Sequence, residues 1–81
     1  MGLRRTTARR VRMHLEDGGG GRHGPSVEGV QMHRRPVGGH YILYQPRYLE
    51  QEDQTVPLDG HLEVPSRRVW FIQILDEGER P

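Results

Sequence analysis

The chain has 81 residues, 32% of them apolar, and contains no cysteine. A chain this short buries only about 60% of its unfolded surface, which leaves a marginal core, and without cysteine neither disulfides nor thiolate metal sites can support it. Self-association is the remaining support. The net charge of +1 hides a division along the chain. Residues 1–12 hold Arg4, Arg5, Arg9, Arg10 and Arg12 with no acid, while the rest holds seven arginines and eleven acids, so the two parts carry +5 and −4. No stretch approaches the roughly 18–20 apolar residues of a membrane span, and no apolar leader is visible, so neither membrane insertion nor an export signal is expected.

Residues 1–9 show no periodicity and are expected to form a basic arm. From Arg10 the pattern alternates, with Val11, Met13 and Leu15 on one face and Arg12 and His14 on the other, which predicts a half-buried strand. It ends at Asp17-Gly18, a tight-turn signal, and the four glycines 18–21 predict a flexible hairpin tip. Ser26–His33 is the second strand, and Gly29 in its interior predicts a bulge or sharp bend. Residues 34–39 form a turn. His40–Tyr44 is the third strand, expected to be broken at Pro46, and residues 47–60 are expected to form a long polar loop with one helical turn. Leu62 and Val64 mark a fourth strand stopped by Pro65. The last strand, Val69–Leu75, is apolar on both faces, with Trp70 and Phe71 expected on opposite sides. Residues 76–81 are a polar tail. Five short strands separated by turn signals predict an all-β fold, a sandwich or small barrel.

The order of these elements resembles the Sm-like family. The residues that carry the resemblance are Leu15-Glu16-Asp17-Gly18, Val27-Glu28-Gly29-Val30, His40-Tyr41-Ile42-Leu43, Leu62-Glu63-Val64-Pro65-Ser66 and Val69-Trp70-Phe71-Ile72. The resemblance implies a strongly bent, five-stranded Sm-like or SH3-like barrel over 10–75, with the arm at 1–9 and the tail at 76–81. It also implies that the last two strands pair across subunits to close a ring. Two positions depart from the family's RNA-reading pattern: His40 stands at the place of an Asn, and Pro65-Ser66 at the place of an Arg-Gly, with Arg67 and Arg68 shifted by two. The arginine-rich, lysine-free chain is also similar in local phrasing to small proteins from the structural genes of phages of high-GC actinobacteria.

Each candidate site has a plainer explanation beside its functional one. The five arm arginines could neutralise phosphates, or dock on an acidic protein surface, or merely solubilise the chain. Val69, Trp70, Phe71, Ile72 and Ile74 are the expected interface, since aromatic residues anchor such contacts; burial under the 46–60 loop is the competing account. Tyr41, Tyr44 and Tyr48 could stack bases or simply fill a sheet surface. The five histidines (His14, His23, His33, His40 and His61) lack the short spacings of metal ligands and are expected on outward strand faces. Ser26 and Ser66 have no nucleophile-elbow context, the glycine run lacks a phosphate-loop Lys, and Glu50, Glu52 and Asp53 are expected as solvated surface. No catalytic residue, metal or cofactor is therefore expected. The expected function is a structural building block, a virion component of a phage capsid or head–tail connector, self-associating or bound to other virion proteins, with nucleic acid as a further partner through the arm. The alternatives are a cytoplasmic Sm-like ring that binds RNA as a regulator, and a monomeric adaptor for a host protein.

Overall fold

The computed structural model describes residues 8–17, 24–51 and 54–77. Arg4 and Arg5 of the arm, the tetraglycine tip, His23, Glu52, Asp53 and residues 78–81 of the tail lie outside the described residues. The fold is all-β, a small sheet of six antiparallel strands. They are β1 (Arg9–Leu15), β2 (Ser26–Gln31), β3 (His40–Gln51), β4 (Gln54–Pro57), β5 (His61–Pro65) and β6 (Val69–Glu77), with one 3-10 turn, Ser66–Arg68, joining β5 to β6. β6 therefore runs two residues into the stretch expected as tail, whereas β2 stops two residues short of His33. The sheet runs β4-β3-β2-β1-β6, and β5 pairs with β3. Among the described residues no helix is long and apolar enough to cross a membrane.

The expected alternation of the first strand is realised. Met13 faces Val27 on β2 and Ile72 on β6, and Val11 faces Gly29 and Ile74. These contacts seed a core of Val11, Met13, Val27, Leu43 and Val64, with Leu15, Tyr41, Leu62, Val69 and Ile72 packed against it. At the base of the β1–β2 hairpin, Leu15 N–H donates to Pro25 O at 3.0 Å and Gly24 N–H donates to Leu15 O at 3.1 Å. The chains approach so closely that a side chain at Gly24 would sit 2.5 Å from Glu16 O. The β2–β3 connection closes on Gly38 and Gly39, with φ of 62° and 85°, the paired left-handed backbone of a two-residue hairpin turn. Val37 N–H donates to His40 O at 2.7 Å, and His40 N–H to Val37 O at 3.1 Å.

Gly29 stands at the expected irregularity. Glu28 pairs with Arg47 and Val30 with Tyr44, so β3 carries one extra residue opposite Gly29. The bulge holds Gln45 at φ 51° beside a buried Pro46. Contrary to expectation, Pro46 does not end the third strand. At a bulge its missing N–H breaks no ladder bond, while its carbonyl accepts from Leu58 N–H at 2.9 Å. The polar loop expected over 47–60 is instead the second half of β3 turning back through β4. Among the described residues there is no helical turn in this stretch.

β3 thus has two neighbours on one edge: β5 beside residues 40–44 and β4 beside residues 47–51. The expected barrel is not closed. Among the described residues β6 pairs only with β1, so its other edge is open, as are the outer edges of β4 and β5.

Candidate assembly interface

Among the described residues β6 exposes three large apolar side chains, Trp70, Phe71 and Ile74. Its register with β1 shifts between His14 and Leu15, so that Phe71 faces His14, Val69 faces Leu15, and Trp70 is the extra residue of a bulge. The bulge overturns the expectation that Trp70 and Phe71 lie on opposite faces: their rings meet edge to face, with centroids 4.7 Å apart. Strict alternation holds only while the ladder is regular, and one inserted residue defeats it. Neither ring enters the core, each residue being 43% exposed.

On the far side of Phe71 the imidazole of His14 stacks at 4.2 Å and 16°. Ser26 Oγ lies 3.1 Å from His14 Nδ1 and Gln73 Oε1 lies 3.3 Å from its Nε2. A carbonyl oxygen only accepts, so Nε2 donates to Gln73, while Nδ1 pairs with the Ser26 hydroxyl. His14 is therefore half-buried and held on both nitrogens, unlike the solvated histidine expected. His14, Trp70 and Phe71 form one aromatic cluster across the β1–β6 seam.

The five residues expected at an interface divide into two groups. Val69 and Ile72 pack against the core. Trp70, Phe71 and Ile74 are exposed. Ile74 is the informative one: it pairs with the fully buried Val11 in the regular part of the ladder, hence on the core-facing side, yet is 46% exposed. A core-side residue is open there because no described strand lies beyond β6. At the opposite side of the sheet Tyr48 and Val56, paired with each other and, through Tyr48, with Val27, are likewise exposed.

Of the arm arginines, Arg9, Arg10 and Arg12 belong to β1, which begins one residue earlier than expected. Arg12 donates to Glu28 Oε2 through Nε at 2.8 Å and Nη2 at 2.6 Å, and Arg10 Nη2 lies 3.7 Å from Glu28 Oε1. Arg9 Nε donates to Gln31 Oε1 at 2.9 Å. Glu28 and Gln31 are both buried, and Gln31 Nε2 has no hydrogen-bond partner among the described residues. Nothing in the sequence marked Glu28 as the acceptor for two of these arginines, because cross-strand register is not local information; the outward face assigned to Arg12 and His14 was the only signal.

At the other positions singled out, His33 is exposed, and His40 Nδ1 lies 3.1 Å from Gly38 O in its own turn. Arg68 Nη2 donates to Glu16 O at 3.1 Å. His61 Nε2 lies 3.4 Å from Glu63 Oε2 on the exposed face of β5. Tyr41 packs on the core and Tyr44 tilts over His61 with centroids 5.9 Å apart, while Glu50 is exposed. Ser26 serves His14, and Ser66 opens the 3-10 turn, its N–H donating to Gly39 O at 2.9 Å. No family model matches this chain, and neither does any curated protein or solved structure.

Proposed function

We propose that the protein is a non-enzymatic structural protein, a subunit of Sm-like or SH3-like type left open along β6, which assembles with further copies of itself through that edge. The exposure of Ile74 carries this reading. Ile74 on the core face of the edge strand and Phe71 on its outward face, with Trp70 at the bulge, leave β6 exposed on both sides at an edge that a neighbouring strand would complete. Burial of an aromatic pair at such an edge supplies the apolar area that a five-residue core lacks. The setting we propose is a virion, on the phage resemblance of the sequence alone. An RNA-binding ring draws less support, since Arg12 is engaged by the Glu28 carboxylate and Arg10 lies beside the same group.

The test is mass by light scattering after size exclusion, at about 50 mM and about 500 mM salt, so that exposed charge contacts are screened only in the second. The expected result is a salt-resistant oligomer that the double variant Trp70→Ala/Phe71→Ala converts to monomer. A monomer at both salts would overturn the proposal.

A further inference from the structure

We propose that the segment between β2 and β3 is a docking cleft for a partner protein, and that it takes an extended peptide in which apolar and acidic side chains adjoin. β2 leaves its ladder with β3 at Gln31, paired with Leu43, and the chain rejoins β3 only at Val37, bridged to His40. Residues 32–36 thus stand against Tyr41 and Ile42 alone, so the segment bows out. It leaves a cleft of about 440 Å3 lined by Met32, His33, Arg34, Arg35, Pro36 and Val37. Both ends of the bow are fixed, one by the Gln31 rung and the other by the two hydrogen bonds between Val37 and His40. The concavity therefore exists before a partner arrives, and binding there has less ordering to do.

Two chemistries meet in this cleft. Met32 and Val37 are 43% and 51% exposed, and with Pro36 they offer apolar surface. Arg34 and Arg35 are exposed and make no hydrogen bond or ion pair, whereas Arg9, Arg10, Arg12, Arg47 and Arg68 each do. The sequence holds no acid between Glu28 and Glu50. Glu28 already faces Arg12 and Arg10, while Asp76 and Glu77 stand opposite Arg10 and Arg9 on β6, with β1 between that strand and β2. Carboxylates match the two guanidinium forks, and adjoining apolar side chains match Met32, Pro36 and Val37. Nucleic acid would satisfy only the first requirement. Phosphates gain nothing from an apolar lining, and no Phe, Tyr or Trp lines the cleft for a base to stack on. The cleft lies on a different element from β6, and the inference does not rest on that strand being an interface.

The experiment follows the backbone amides of the full chain by NMR at about 50 mM salt, where exposed charge contacts are least screened. Four probes are titrated: an eight-residue peptide alternating Leu and Glu, one with Gln in place of each Glu, one with Ser in place of each Leu, and a short DNA duplex. The Leu-Glu peptide is expected to shift residues 32–37, and the other three probes to bind them at least about tenfold more weakly. Arg34→Gln/Arg35→Gln is expected to weaken the Leu-Glu peptide about tenfold, as two exposed ion pairs allow. Neither side chain makes a contact, so the fold is kept. Arg10→Gln/Arg67→Gln removes the same charge outside the cleft and is expected to leave binding within about twofold of wild type. Equal loss in that control, equal binding of the Ser-Glu or Leu-Gln peptide, tighter binding of the duplex, or shifts confined to other residues would each overturn the proposal. The double variant Trp70→Ala/Phe71→Ala is expected to bind the Leu-Glu peptide as wild type does, so failure of the cleft and failure of the β6 interface are read separately.

Discussion

Gly29→Ala tests the packing logic of the sheet at its tightest point. A Cβ at this position would lie 2.8 Å from Leu43 Cβ and 3.2 Å from the Tyr44 carbonyl oxygen. Carbon atoms attract best at about 3.5–4.0 Å, so the first contact is roughly 1 Å too short. Neither neighbour can swing aside: Leu43 is fully buried and its Cβ is fixed to the backbone of β3, and the second contact is backbone itself. Relief requires β2 and β3 to separate at the bulge, and overpacking of this kind costs about 1–3 kcal/mol. Alanine also restricts the unfolded chain, a gain of about 0.4–1 kcal/mol, too small to reverse the sign. A chain of this length has about 4–12 kcal/mol to lose, and each kcal/mol lowers the melting temperature by about 4–8 °C. Urea unfolding at one fixed protein concentration measures the effect, since assembly makes stability depend on concentration. Gly38→Ala is the comparison: its Cβ meets nothing within 4 Å, and only the φ of 62° penalises it, at about 1 kcal/mol. An unfolding midpoint for Gly29→Ala equal to or above wild type would refute the close-approach argument.

Two further substitutions probe the buried polar groups of β2. Glu28→Gln keeps the shape but withdraws the negative charge from Arg12 and Arg10; with those side chains 26% and 52% exposed, the expected loss is only about 1–2 kcal/mol, read as a lower urea midpoint. Gln31→Met removes the buried donor that has no acceptor, and because Arg9 is only half-buried and can turn to water, stability is expected to stay within about 1 kcal/mol of wild type or to rise. A loss of about 3 kcal/mol would show that the Arg9–Gln31 bond holds the strand end.

Much of the architecture could be read along the chain because its signals are local. Alternation at Val11, Met13 and Leu15, the Gly29 irregularity, the turn at Gly38-Gly39 and the apolar run of β6 all depend on neighbours within a few residues. The second half of β3 could not be read so. Pro46 breaks a strand in most contexts, and only the bulge opposite Gly29 makes it harmless. That bulge exists because Arg47 pairs with Glu28 and Tyr44 with Val30, a match between two strands that neither segment displays alone. The Trp70–Phe71 contact was illegible for a similar reason, since a bulge in β6 is set by its register against β1 and leaves no mark in the alternation. The partners of Arg10 and Arg12 lie across a strand boundary, and no spacing along the chain identifies Glu28. At the candidate interface the sequence marked the apolar run of β6 but not His14, whose stacking on Phe71 exists only once β1 and β6 are side by side.

The two-part edge of β3 has a consequence for how chains of this kind can vary. Residues 40–44 carry Tyr41 and Leu43 into the core and are braced by β5. Residues 47–49 run on past the bulge, paired with β2 on one edge and with β4 on the other, and only Glu50 and Gln51 extend beyond β2. One continuous strand thus serves as a wall of the fold up to Leu49 and, from Glu50, as the stem of the turn into β4. Changes of length beyond Leu49 therefore leave the wall and its register with β2 in place.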